Sequence, residues 1–229
     1  STGMRNIRIR KFLVGGEIAL TLMLVAGSGV MLRSLAAAQN VELGFDVKDV
    51  QTFRVLFTDA TQTPRRIEYF RSLFDRIETV AQVSAAGAVN DLFELTAPTN
   101  LGFREVEGRT PEPRDTWTPL TWTTVAGNYF QAMRVQLLAG RWFSDADGPG
   151  SPPVAIIDES TAKRYWPGED PVGRRFKGQD PRGRNDDWLT VIGVVRNMRR
   201  QGVDREPTPH VYEWYRQGWN TLPRDVIFR

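Results

Sequence analysis

The stretch PVAIIDESTAKRYWPGEDPVGRRF, residues 153–176, decides most of the fold. Its apolar run 154–157 predicts a short strand. Asp158 follows directly and is placed to act as the N-cap of a helix over 159–165. The Pro-Gly pair at 167–168 ends that helix sharply. A strand that leads at once into a capped helix indicates a domain in which helices pack on a sheet.

Outward from this stretch, the chain alternates between strand and helix patterns. The segment 52–57 has the alternation of a strand, 63–80 has the spacing of an amphipathic helix, and 83–89 is a small-residue strand. These three predict a βαβ unit or a split version of one. The other predicted elements are strands at 101–106, 120–125, 135–138, 172–177, 188–196, 211–215 and 225–229, a helix at 128–133 and an exposed loop at 179–187.

The composition changes between residues 90 and 147. Gly, Pro, Thr and Trp become frequent there, and the predicted strands are short. We therefore expect a smaller β-rich insertion over 90–147, carried by a main lobe formed from 52–89 and 153–229. The fold class is α+β.

Composition excludes several kinds of site. The chain has 229 residues, of which 41% are hydrophobic and 25% charged, which is typical of a folded protein. It has no cysteine, so disulfides, thiol nucleophiles and thiolate metal sites are excluded. His210 is the only histidine, which excludes a His-rich metal site and argues against a His-based catalytic pair.

The positive net charge of +3 lies at the N-terminus. Residues 1–40 carry five basic groups against one acidic group, a net of +4, so residues 41–229 carry 25 basic and 26 acidic groups, a net of −1. A basic nucleic-acid-binding face across the main domain is therefore not expected.

Residues 12–32, FLVGGEIALTLMLVAGSGVML, are long enough to cross a membrane. As a helix, 21 residues span about 31 Å, close to the hydrocarbon thickness of a bilayer. We predict a transmembrane helix over 12–35, with the basic arm 1–11 in the cytoplasm and residues after about 40 on the other side. A signal peptide and the core helix of a soluble protein are the alternatives.

Within this helix, Glu17 and many small residues favour packing against other membrane helices over exposure to lipid.

Motifs of catalysis are absent from the sequence. There is no phosphate-binding loop, no Gly-x-Ser-x-Gly and no His-Glu-x-x-His. Capping explains Asp158 better than catalysis, and the loop with Asp145 and Asp147 lacks the later ligands of a calcium site. The basic run 196–205 is typical of a solvated loop, and the scattered tryptophans are typical of packing. We predict no catalytic, cofactor-binding or metal-binding residues, and no enzyme activity.

Several segments together resemble a known family. They are ALTLMLVAGSGVMLRSL (19–35), GFDVKDVQTFRV (44–55), NYFQAMRVQLLAGRWFS (128–144), the opening stretch, and LTVIGVVRNMRRQGVDREPTPHVYEWY (189–215). The chain resembles the periplasmic core domain of MacB-like ABC transporter permeases, in particular the duplicated MacB/FtsX-type permeases. PGEDPVGRRF, residues 167–176, is the most specific mark of the resemblance.

The resemblance implies a transmembrane helix followed by a periplasmic domain over 45–229, with a porter-like α/β lobe and an inserted smaller β-rich lobe. It implies a place in the bacterial inner membrane, without a cofactor. The implied partners are an ABC ATPase subunit or domain, a second permease copy or half, the lipid bilayer and a periplasmic partner.

The implied function is non-catalytic: ATP-driven motion of membrane helices is relayed to the periplasm for export or mechanotransmission. Two alternatives stay open. One is a single-pass, membrane-anchored periplasmic module that binds a ligand or partner, and the other is an anchored enzyme. The sequence does not identify a transported substrate.

Overall fold

The computed structural model describes residues 2–39, 41–57, 63–92, 102–103, 105–110, 113, 120–178, 187–200, 202, 207–217 and 222–229. At residues 2–9, 38–39 and 63–64 it describes the backbone only. The chain forms two compact units, Ser1–Glu42 and Leu43–Arg229.

The first unit is a single long helix, α1, over Thr2–Gln39. Its part Arg10–Ala37, with a mean hydropathy of 1.8, is long and apolar enough to cross a membrane. Apolar side chains lie all around it and are exposed, as expected of a helix whose surroundings are lipid. The helix also runs through most of the basic arm 1–11. The helix ends at Gln39, five residues before Gly44.

The described part of the second unit contains a mixed sheet and three α-helices. The strands are β1 Gln51–Arg54, β2 Ala86–Val89, β3 Glu105–Val106, β4 Thr121–Gly127, β5 Leu137–Gly140, β6 Val154–Asp158, β7 Arg175–Lys177, β8 Leu189–Val195, β9 His210–Trp214 and β10 Asp225–Phe228. The helices are α2 Thr63–Glu78, α3 Tyr129–Ala132 and α4 Glu159–Tyr165, and a 3-10 turn covers Tyr215–Gln217.

Within the described residues these strands form one sheet, in the order β1-β10-β2-β4-β9-β6-β8-β7-β3, with β5 paired to β8. The pairs β4–β9 and β6–β8 are parallel, and the others are antiparallel. β10 lies between β1 and β2 and is antiparallel to both. The β1–α2–β2 unit is therefore the split form of a βαβ unit.

The predicted α+β class, with an apolar helix ahead of an α/β sheet domain, is confirmed. The observed strands depart most from the predicted ranges at one margin of the sheet. There β3 has two residues and β7 has three, fewer than the predicted 101–106 and 172–177. The division into a main lobe and a β-rich insertion over 90–147 stays a prediction. In the structure, β4 from that insertion lies between β2 and β9. The predicted exposed loop at 179–187 lies, apart from Asp187, outside the described residues.

Two apolar clusters cover the two faces of the sheet. In β6, Val154 and Ile156 belong to one cluster, while Ala155 and Ile157 belong to the other. Both faces are buried, which explains why the run 154–157 is continuously apolar. The first cluster includes aromatic residues of α2 and α3 (Phe70, Phe74, Tyr129 and Phe130), and the second includes Tyr165, Trp166, Phe103 and Phe176.

Candidate functional site

Residues 41–50, here called the connector, link the sequence of α1 to β1. The connector backbone is hydrogen-bonded to two distant segments of the domain. The Asp46 N–H donates to the Met133 carbonyl at 2.9 Å, and the Arg199 N–H donates to the Leu43 carbonyl at 2.9 Å. Phe45 also packs against the first apolar cluster. The connector is thus part of the folded domain from Leu43 onward.

The Asp46 carboxylate is the centre of a charged cluster. Arg134 donates to Asp46 Oδ2 at 2.8 Å, and the backbone N–H of Lys48 donates to Oδ1 at 2.8 Å. Arg229 lies 3.4 Å from the same carboxylate and also donates to the Asp46 carbonyl. Its Nε donates to the Ala132 carbonyl at 2.9 Å. We call Asp46, Arg134 and Arg229 the Asp46 clamp.

The clamp combines one buried cation with more exposed partners. The Arg229 side chain is 6% exposed, against 37% for Asp46. The hydrogen bond from the Lys48 backbone lowers the pKa of Asp46; partial desolvation opposes this, and Arg134 and Arg229 lower it further. Asp46 is therefore ionised at neutral pH, and the buried Arg229 guanidinium has a permanent counter-charge.

The chain reaches this geometry through two left-handed residues. Arg134 has φ +51° and follows the C-terminal end of α3, where a left-handed residue commonly ends a helix. Gly44 has φ +78°, and a Cβ there would lie 1.9 Å from the Asn197 carbonyl oxygen. Only glycine allows both the backbone conformation and this close approach.

The clamp joins three parts of the domain. Arg134 follows α3, Arg229 follows β10, and Asp46 lies seven residues after the last residue of α1 in sequence. α3 also packs on the sheet through Tyr129 and Phe130. Residues that follow α3 and β10 therefore both hold Asp46. The clamp thus attaches the connector to two separate elements of the domain.

Asp158 and His210 face each other across β6 and β9 in the buried sheet. Asp158 Oδ1 accepts the Thr161 N–H at 2.8 Å, which confirms its N-cap role. Asp158 Oδ2 lies 3.8 Å from His210 Nδ1, and neither side chain is more than 2% exposed. Burial raises the pKa of Asp158, although His210 and the hydrogen bonds from Thr161 oppose the rise. These residues lie inside the domain and not on an accessible surface.

In the acidic loop after β5, Asp145 and Asp147 each form an ion pair with an arginine. Both Asp147 oxygens accept hydrogen bonds from Arg141 at 2.7 Å, and the Ser144 N–H donates at 2.8 Å. Asp145 is paired with Arg216 at 2.5 Å. Burial acts to raise the pKa of Asp147, but its bonds to Arg141 and Ser144 outweigh burial, so the pKa lies below its ordinary value. No cluster of three metal-binding side chains occurs in the part of the chain that the structure describes.

The basic run has contacts within the domain. Arg200 donates to Tyr129 OH and Thr123 Oγ1, and Arg196 donates to Gln136 Oε1, each at 3.4 Å. Arg205 lies outside the described residues. The described tryptophans serve packing: Trp142 stacks on Phe130, and Trp122, Trp166, Trp188 and Trp214 have ring or cation contacts of the same kind. Trp117 and Trp219 lie outside the described residues.

A cavity of about 260 Å³ lies between α2, the end of β4 and the start of the 3-10 turn. Aromatic rings of Phe74, Phe143 and Trp214 line it together with Arg71 and Asp75. Because both signs of charge line the cavity, its electrostatics favour neither an anionic nor a cationic ligand.

A comparison with protein families identifies the family of this chain. The model of the MacB-like periplasmic core domain matches residues 15–212. The chain belongs to this family. The resemblance identified from the sequence is thereby confirmed, and the MacB-like match includes both part of α1 and nearly all of the sheet domain.

Individual relatives are more distant. A Pseudomonas syringae pv. tomato protein, the syringafactin export ATP-binding/permease protein SyfD, is 36% identical over 77 residues. That alignment covers 33% of this chain and 10% of SyfD, so the aligned segment spans a small part of the curated relative.

Two solved structures are also similar. The periplasmic region of MacB from Actinobacillus actinomycetemcomitans has a TM-score of 0.49 at 16% identity, covering 81% of this chain and 76% of that one. The extracellular domain of the ABC-type transporter YknZ from Gram-positive bacteria has a TM-score of 0.42 at 16% identity, covering 68% and 70%.

Three of the segments that carry the MacB-like resemblance meet at the connector. Asp46 belongs to 44–55 and Arg134 to 128–144, while Asn197, which contacts Gly44, belongs to 189–215. Sequence reasoning did not single out Asp46, Arg134 or Arg229. The one local signal was Gly44, a glycine in a polar connector, whose role is the close approach to Asn197.

Proposed function

We propose that this chain is the N-terminal membrane helix and periplasmic domain of a bacterial ABC transporter permease. The observation that carries the proposal is the family match over 15–212, which runs from within the candidate membrane helix through the sheet domain as far as β9. In this proposal the chain is non-catalytic and resides in the inner membrane. Its partners are an ABC ATPase subunit or domain, a second permease copy or half, and a partner in the periplasm.

The charge pattern supports one orientation. Arg5, Arg8, Arg10 and Lys11 precede the apolar part of α1, and positive charge is retained on the cytoplasmic side. Residues after about 40 are then periplasmic. This agrees with the description of the family, whose core domain is periplasmic.

The proposed action is a mechanical relay. When ATP binding at the partner moves the membrane helices, a tilt or shift of α1 pulls on the connector. The Asp46 clamp and the Gly44–Asn197 contact hold the connector on the domain, so the domain moves as one body. Export or mechanotransmission would follow from that movement.

The absence of cysteine makes the orientation simple to test. Leu138→Cys introduces one thiol at an exposed position of β5, where the side chain is 44% exposed. A maleimide that does not cross membranes should label this variant in spheroplasts, while an Arg5→Cys control should be labelled only after lysis. The reverse pattern would contradict the proposed location.

The relay is tested in the full-length permease with its ATPase. A flexible Gly-Ser insertion between Val41 and Glu42 should leave ATP hydrolysis intact and abolish the ATP-dependent displacement of a spin label at Leu138→Cys. The same insertion beside Gly108, in an exposed turn of the domain, is the control and should preserve the displacement. If the connector insertion left the displacement unchanged, the relay would be wrong.

The sequence of the gene beyond Arg229 provides a further check. The permease proposal requires more hydrophobic spans there. Their absence would favour the alternative, a single-pass anchored module that binds a ligand or partner.

A further inference from the structure

Strand β1 forms one edge of the sheet. Among the described residues its only strand neighbour is β10. All four of its residues, Gln51–Arg54, are exposed. Beyond β1, Leu56 is 83% exposed, and within it Phe53 is 41% exposed. This edge therefore presents apolar side chains next to backbone that can accept another strand.

The pairing register identifies which backbone groups point outward. The Val55 N–H donates to the Arg224 carbonyl at 2.7 Å, and Arg54 lies opposite Asp225. In an antiparallel pair, alternate residues bond to the neighbour. Gln51 and Phe53 therefore bond to β10, while the N–H and C=O groups of Thr52 and Arg54 point away from the sheet.

The opposite edge of the sheet differs in its charge. At β3, Glu105 is paired with Lys177 at 3.4 Å, and Glu107 with Arg175. Charged side chains therefore lie along that edge and disfavour pairing with another strand. β1 has neither a proline nor a bulge. Its one charge, Arg54, is bound to Asp225 on β10. Of β1 and β3, the two ends of the strand order, β1 is the one without the usual protection against strand pairing.

We infer that β1 pairs in antiparallel fashion with β1 of a second copy of this chain, with Phe53 at the twofold axis. This register places Arg54 opposite Thr52 of the second copy, so no like charges meet, and the outward groups of both residues bond to each other. The two Phe53 rings become neighbours. A register centred on Arg54 would instead bring two guanidinium groups together, and like charges directly opposite each other destabilise a strand pair.

Strand pairing alone buries little surface. A stable soluble dimer needs roughly 1,200–2,000 Å², far more than two four-residue strands provide. We therefore expect the contact only between copies that share one membrane, where the effective concentration is high. In this respect the inference rests on the proposed function, in which two permease copies or halves act together.

Disulfide trapping tests the inference, because the chain has no cysteine of its own. In the proposed register, the two Cα atoms at residue 53 are about 4.5 Å apart, within the range that a disulfide spans. Full-length chain carrying Phe53→Cys, oxidised in its membrane, should form dimers at least about tenfold faster than Val80→Cys or Leu138→Cys. Both control positions are exposed and apolar, at 54% and 44%. Equal rates at the three positions, or no dimer at residue 53, would overturn the pairing.

A proline at residue 52 adds a test that depends on the direction of one N–H group. The Thr52 N–H points away from β10, so Thr52→Pro removes no bond within the sheet. It does block pairing with a second copy. We expect Thr52→Pro to suppress the Phe53→Cys dimer while the urea midpoint stays unchanged. A dimer that persists in the double variant would refute the register.

A second pair of variants covers the case in which Phe53→Cys does not fold. Chains with Thr52→Cys and chains with Arg54→Cys, expressed together, should crosslink to each other, and their failure to do so would count against the pairing. Maleimide labelling of Leu138→Cys in the same membranes reports the orientation separately. External labelling without any crosslink would therefore refute the pairing and leave the proposed function standing.

Discussion

Gly44→Ala tests whether the connector is held on the domain as the structure describes. The substitution adds one methyl group and leaves every charge of the Asp46 clamp in place. The added methyl group strains residue 44 in two ways, through the backbone conformation and through a steric clash. An alanine must adopt φ near +78°, and its Cβ would lie 1.9 Å from the Asn197 carbonyl oxygen and 3.0 Å from the carbonyl carbon. Both atoms belong to the backbone, so they cannot move aside as a flexible side chain could.

The expected cost has two parts. The left-handed conformation costs an L-residue roughly 1–2 kcal/mol. Forcing a methyl group into packed atoms adds about 1–3 kcal/mol. The free energy of unfolding should therefore fall by about 2–5 kcal/mol, a large share of the roughly 5–15 kcal/mol typical of a domain.

Gly108→Ala is the matched control. Gly108 has φ +77°, nearly the value of Gly44, and a Cβ there would meet nothing within 4 Å. Its cost should be only the conformational part, about 1–2 kcal/mol. The difference between the two variants isolates the contact with Asn197.

Urea unfolding of the full chain in detergent measures both variants. All seven tryptophans lie between residues 117 and 219, so their fluorescence reports the domain and not α1. Equal losses for Gly44→Ala and Gly108→Ala would show that the connector does not approach Asn197 closely, and the clamp geometry would be wrong.

Three further predictions concern Asp147, Asp158 and the segment 1–42. Asp147→Asn weakens the paired hydrogen bonds with Arg141 and should cost about 1–2 kcal/mol at neutral pH. Because the folded state lowers the pKa of Asp147 from 3.8, this stabilisation is present above pH 3.8 and is lost as the pH falls through the folded-state pKa, so the difference between wild type and variant in urea titrations should shrink as the pH falls below 3.8. Asp158→Ala removes the cap on the Thr161 N–H and should cost about 1–2 kcal/mol, whereas Asp158→Ser should recover part of this loss in the same titration. Deletion of residues 1–42 should leave the urea midpoint of the domain unchanged, since Leu43–Arg229 is a compact unit; a lower midpoint would contradict that independence.

The elements that the sequence predicted best are those with strong local patterns. β6 and α4 follow from an apolar run, a capping aspartate and a Pro-Gly stop, all within fifteen residues. α1 follows from composition alone. Each of these signals is local, so no knowledge of distant partners is needed to read it.

The order of the strands depends on distant pairing, which the sequence alone does not specify. β10 reads from its sequence as a last strand, yet it lies between β1 and β2 and completes the split βαβ unit. The same limit applies to the Asp46 clamp. Its three charged residues lie in separate segments, and an exposed aspartate in a polar connector resembles any other until Arg134 and Arg229 are placed beside it.

The position of the Asp46 clamp bears on how a domain can follow a membrane helix. A connector joined to a surface loop would stretch that loop when pulled, and the rest of the domain would lag behind. Here Asp46 is held by residues that follow α3 and β10, and β10 is bonded to β1 on one side and β2 on the other. In the proposed relay, a pull on the connector would therefore act on α3 and on a strand that is paired on both sides. Since the pKa of Asp46 is lowered further by the same two arginines that hold it, Asp46 stays charged at any pH near neutrality. In the proposed relay, this attachment is what couples a movement of α1 to the domain, and a connector that hung free of α3 and β10 would not provide that coupling.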